Sequence, residues 1–120
     1  MNIEELRNHC LAVKEAIECM PFDEDTIVYK VMGKMFAYFS LTPKDGMFCV
    51  NMKCHPDKSA YLMEHYQGIT FGYHSNKKYW IMIYLQSDVP SKLIVELINH
   101  SVEEVVKKLP KYKRIEYQNK

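Results

Sequence analysis

The chain reads as an α+β domain, an antiparallel sheet backed by helices in two layers, on three observations. Apolar residues recur at steps of three and four near both ends of the sequence. Runs rich in β-branched and aromatic residues, separated by glycine turns, fill residues 27–53. A strand-length apolar run, residues 79–85, stands between two helical stretches. At 120 residues the chain has the length of one domain, residues 1–120, and can bury a real core. Its 48% apolar and 26% charged content is that of a folded globular protein.

Asn2 is placed to cap a first helix, with Glu5 three residues on as in a capping box. Ile3, Leu6, Cys10, Val13 and Ile17 then form an amphipathic stripe of about four turns. Pro21 lies beyond it, and the acidic segment 22–26, with Asp23, Glu24 and Asp25, reads as a solvated loop. Residues 27–32 form a strand, Gly33 a tight connection and residues 34–41 a second strand. The turn residues of 42–46 then lead to a third strand at 47–53. In that strand Phe48, Val50 and Met52 alternate with Cys49, Asn51 and Lys53, the pattern of a sheet covered by helices on one face only. Pro56 opens a second helix that reaches about Tyr66, with Gly68 as its stop; residues 69–71 are a brief strand candidate. A loop at 72–78 leads into the apolar strand 79–85. Pro90 opens the last helix, whose stripe of Leu93, Leu97, Ile98, Ser101, Val105 and Leu109 ends at Pro110. The approximate order is α-β-β-β-α-β-α. A basic tail at 111–120 either packs as an extension or is partly mobile.

No basic-then-apolar leader and no membrane-length apolar run is present, so the expectation is a cytoplasmic protein with no membrane partner. Cys10, Cys19, Cys49 and Cys54 form no CxxC pair and are expected as free thiols in a reducing compartment. Net charge is +1, unevenly spread: residues 1–26 carry seven acids against two bases, residues 107–120 six bases against one acid. A local positive face is compatible with this balance. No catalytic constellation is found. Cys54 and His55 are adjacent and would point apart in a strand, and His74 and His100 lack an accompanying nucleophile or oxyanion loop. The chain is therefore expected to be no enzyme and to need no metal or cofactor.

Four segments, taken in order, resemble the YjbR/MmcQ family: VYKVMGKMFAYFSL at 28–41, VNMKCHP at 50–56, GYHSNKKYW at 72–80 and VPSKLIVELINHSVEEVVKKLPK at 89–111. The resemblance implies a CyaY-like fold and a proposed DNA-binding role through a double wing of β-hairpins. On that reading Lys34, Lys53, Lys77 and Lys78 are placed to contact phosphates, while Tyr73, His74, Asn76 and Trp80 approach bases or sugars. A secondary basic patch comprises Lys107, Lys108, Lys111, Lys113 and Arg114. Against it stand lysines that merely solvate loop ends, a Trp80 that anchors its strand, and helix-terminal cations that complement the dipole. The chain is expected to be a monomer with DNA as partner. The alternative is a protein–protein interaction module that offers an exposed sheet face or groove.

Overall fold

The computed structural model describes residues 1–72 and 76–120. Helix α1 (Ile3–Leu11) begins with the expected capping box: Asn2 Oδ1 accepts from Glu5 N–H at 2.8 Å, and Glu5 Oε1 from Asn2 N–H at 3.3 Å. The helix is shorter than its apolar stripe. Glu15 turns left-handed (φ 63°), and Ile17, the last residue of that stripe, starts an edge strand instead, β1 (Ile17–Cys19). Arg7 grips Glu18 with two hydrogen bonds, at 2.8 and 3.1 Å, and Tyr29 Oη donates to the same carboxylate at 2.8 Å, tying helix and edge strand to the next strand. The Arg7 hydrogen bond holds the Glu18 carboxyl below the usual carboxylate range.

Strands β2 (Thr26–Val31) and β3 (Lys34–Ser40) meet at a two-residue turn in which Met32 (φ 51°) and Gly33 (φ 80°) are both left-handed, as a type I′ hairpin requires. Strand β4 (Cys49–Lys53) follows, then α2 (Pro56–His65), β5 (Ile69–Phe71), β6 (Trp80–Tyr84), α3 (Ser91–Lys107) and α4 (Lys111–Gln118). The strands form one antiparallel sheet in the order β1-β2-β3-β4-β6-β5. The α+β, helix-backed architecture agrees with the sequence reading, the brief strand candidate at 69–71 is β5, and β1 and α4 are added to it. The basic tail is thus helical, and its Tyr117 is buried with its hydroxyl donating to Lys14 O at 3.1 Å.

Buried residues of all four helices, among them Leu6, Leu62, Ile98 and Tyr117, join one cluster with Tyr29, Phe39, Val50, Met52, Ile81 and Ile83 of the sheet. Alternate sheet positions point the other way, so all the helices lie on one side. Ser101 fastens α3 to the sheet at its closest approach: fully buried, its Oγ donates to Phe36 O at 2.5 Å and accepts from Lys53 N–H at 2.9 Å. Gly68 serves a different end from the one its sequence position suggests. Helix α2 has already ended, and a Cβ at Gly68 would lie 2.1 Å from Ser87 Oγ, so glycine is needed for close approach to the segment after β6. The four cysteines are free, and burial pushes the Cys10 thiol up to about 12. Among the described residues no helix is long and apolar enough to cross a membrane.

Candidate functional site

Sheet register gathers one end of the molecule. Lys34 opens β3, Lys53 closes β4 and pairs in register with Trp80, and the turn before β6 carries Lys78, so antiparallel pairing sets all three lysines at the same end of the sheet. Helix α3 crosses this end after Ser101 and delivers Lys108, whose Nζ lies 4.1 Å from the centroid of the Tyr79 ring. Lys78 Nζ lies 5.4 Å from the same ring. One aromatic face system thus holds two cations whose residues are thirty positions apart in the chain. Lys53 belongs to the group as well: burial and then the charge of Lys108 push its ammonium below the usual lysine value, Lys34 adding to the effect and Glu104 opposing it. Lys34 and Lys108 thus act on Lys53 through their charge, and Lys78 joins them through the Tyr79 ring, as parts of one positive surface.

Glu104, the carboxylate that acts on Lys53, is already engaged. Glu104 is buried and bonds Lys107 at 2.6 Å; burial pushes its carboxyl up, but the hydrogen bond and charge of Lys107 more than offset this and hold it below the usual range. Lys107 is thereby neutralised locally. Lys34, Lys53, Lys78 and Lys108 have no ion pair among the described residues.

Behind this end runs the sheet face that the helices leave uncovered. Val28, Cys49, Asn51 and Met82 are buried yet stand outside the helix-side cluster. Trp80 and Tyr38 lie on this face, both half-buried, with ring centroids 5.6 Å apart and planes tilted by 50°. Farther along, Asp25, Ser40, Thr42, Pro43, Lys44, Cys49, Asn51 and Met82 line a pocket of about 380 Å³. Its polar rim is ordered: Asp25 accepts from Ser40 Oγ at 2.5 Å and from Thr42 Oγ1 at 2.8 Å. Asp25 is therefore a built part of the structure, although the acidic run reads from sequence as a solvated loop.

The expected site residues divide accordingly. Lys34, Lys53 and Lys78 converge. Lys77 turns aside, its Nζ 6.0 Å from the ring of Phe71 on the edge strand. Asn76 shapes the turn, accepting from Lys78 N–H through Oδ1 at 2.8 Å and from Trp80 N–H through its carbonyl at 3.0 Å. Tyr73 and His74 lie outside the described residues. The secondary patch does not act as one unit: Lys108 joins the sheet-end group, Lys107 pairs with Glu104, and Arg114 lines a separate pocket of about 400 Å³ with Lys14, Glu103 and Lys107. Lys111 and Lys113 lie on α4 and have no ion pair among the described residues. His55 caps α2, its Nδ1 accepting from Asp57 N–H at 3.2 Å, and His100 Nε2 accepts from His55 N–H at 3.2 Å. Tyr79 and Tyr38 escape the sequence reading. The alternation of Cys49, Asn51 and Lys53 with Phe48, Val50 and Met52 was the sequence signal pointing to the uncovered face.

Together these features define a small α+β domain with an open-faced antiparallel sheet and a lysine-rich end. More particularly, the chain belongs to the YjbR family, whose model matches residues 11–103. It is similar to the uncharacterised protein YbdF of Escherichia coli O157:H7, with 38% identity over 78% of this chain and 75% of the relative. It is also similar to the uncharacterised protein YjbR of Escherichia coli K12, with 27% identity over 95% of each. The crystal structure of Deinococcus radiodurans protein DR2400, a DUF419 domain, is 33% identical, with TM-score 0.85 over 98% of this chain and 88% of that one. A Pseudomonas syringae protein, 22% identical, shares the fold with TM-score 0.73 over 84% of this chain and 96% of its own.

Proposed function

We propose that this protein is a non-enzymatic DNA-binding protein that holds phosphates with the lysines at one end of its sheet. The observation that carries the reading is the convergence of Lys34, Lys53, Lys78 and Lys108 at one end of the sheet, two of them over Tyr79, with Glu104, the carboxylate that acts on Lys53, taken up by Lys107. Burial and then the charges of Lys108 and Lys34 disfavour the Lys53 ammonium, an anion relieves that cost, and a phosphate backbone supplies anions at regular intervals. The β2–β3 tip, with Lys34 beside its tight turn, serves as one wing of the surface.

Four phosphate contacts give a salt slope, log K against log salt, of about −2.8 for single strands to about −3.6 for duplex. Fluorescence-anisotropy titration of labelled DNA at two salt concentrations measures it. Charge reversal by Lys78→Glu with Lys108→Glu is expected to abolish binding, whereas Lys77→Glu costs much less. Unchanged affinity in the double variant contradicts the proposal.

A further inference from the structure

We infer that the form of nucleic acid taken is a single strand, with one base against the Trp80–Tyr38 ring pair and its neighbour in the adjoining pocket. This rests on the phosphate-binding reading above and adds what the uncovered sheet face does. In β4 and β6, Lys53 pairs with Trp80 and Asn51 pairs with Met82, two residues farther along the same face. The charged end and the Trp80 ring therefore stand side by side at one level of the sheet, and the pocket floor lies about 7 Å farther along.

Each station suits one part of a nucleotide. Lys53 meets phosphate. The half-buried Trp80 ring, tilted against Tyr38, offers an apolar surface to the face of a base. The pocket, about 380 Å³, has room for one flat heterocycle between the apolar Met82 and Pro43, with the Asp25 carboxylate and the Ser40 and Thr42 hydroxyls for its edges. The Asp25 carboxylate at the rim accepts from the exocyclic amino and ring N–H groups of bases, and with Lys44 in the same lining the pocket carries no excess of positive charge. Four lysines at one end, against one acid and one base with hydrogen-bonding acceptors at the other, thus favour phosphate at the sheet end and a base in the pocket. In a duplex the base faces are stacked on one another and cannot reach either station, so only a strand with splayed bases uses both.

Trp80 is the only tryptophan, so the unmodified protein reports on its own stacking. Three probes are titrated: a labelled single-stranded DNA of mixed sequence, its duplex, and the same strand made of abasic nucleotides. The single strand is expected to bind at least about 10-fold more tightly than the other two and to quench Trp80 fluorescence, which the abasic strand leaves unchanged. Trp80→Leu is expected to remove the advantage over the abasic strand and Trp80→Phe to keep most of it. Thr42→Phe, which fills the pocket from an exposed position, is expected to weaken single-strand binding without touching abasic binding. Duplex binding as tight as the single strand, or single-strand binding without quenching, overturns the inference and leaves phosphate binding standing. Binding of none of the three probes overturns the DNA reading and this inference together. Should Trp80→Leu fail to fold, quenching in the unmodified protein decides.

Discussion

His100 shows how one side chain can carry a pH dependence without any catalytic role. Its Nε2 accepts from the N–H of His55, at the start of α2, and only the neutral ring has a lone pair there. Burial first and then the charge of Lys58 lower its pKa from 6.5, with Lys107 adding and Glu104 and Glu103 opposing. A histidine whose folded pKa is depressed contributes stability that is fully present above its unfolded value. That contribution is lost as pH falls through 6.5 toward the folded value, because the unfolded chain then binds the extra proton. Urea denaturation across this window is therefore expected to show the wild type losing stability relative to His100→Gln, whose amide oxygen can still accept from His55. Parallel loss in both proteins would assign the dependence to other groups. The sequence reading of His100 as a hydrogen-bonding histidine agrees with this geometry, but its partner, 45 positions away, could come only from the packing of α3 beside α2.

At the scale of elements, what was legible was whatever a strong local pattern encodes. The capping box, Pro56 at the first helical turn, the Gly33 hairpin and the 3.6-residue stripe of α3 all lie where residue types and spacing put them. The misses have physical causes. Ile17 continues the helical stripe of α1 in sequence, yet the left-handed turn at Glu15 sends it into a three-residue strand too short to show alternation. Helix α4 is polar almost throughout and buries only Tyr117, so its apolar signal is a single residue; its Lys, Arg, Glu and Gln content favours a helix once that anchor docks. The β2–β3 turn offers a clean test of local encoding. A Cβ at Gly33 meets nothing within 4 Å, so Gly33→Ala carries only the backbone strain of φ 80°. It is expected to destabilise the fold by about 1–2 kcal/mol, measured by denaturant midpoint; a change near zero would mean that the turn relaxes to another type.

At the scale of the molecule, a net charge of +1 conceals an ordered charge distribution. The sequence groups its basic residues by proximity along the chain, pairing Lys77 with Lys78 and Lys107 with Lys108. Folding regroups them by register and helix docking. Lys78 meets Lys108 across Tyr79 while their sequence neighbours turn to Phe71 and to Glu104. Adjacent residues diverge because successive positions on a turn or helix point in different directions, a separation that no composition or charge count can express. The uncovered sheet face was foreshadowed by alternation in β4, but its aromatic step joins Tyr38 of β3 to Trp80 of β6 across an intervening strand.

The most direct test of the central claim is amide NMR of nitrogen-15-labelled protein titrated with DNA. The account expects Lys34, Lys53, Lys78, Tyr79 and Lys108 to shift together and saturate with one dissociation constant, as members of one surface. Shifts confined to α4 with these five unmoved, or no shift at low salt in a folded protein, would contradict it.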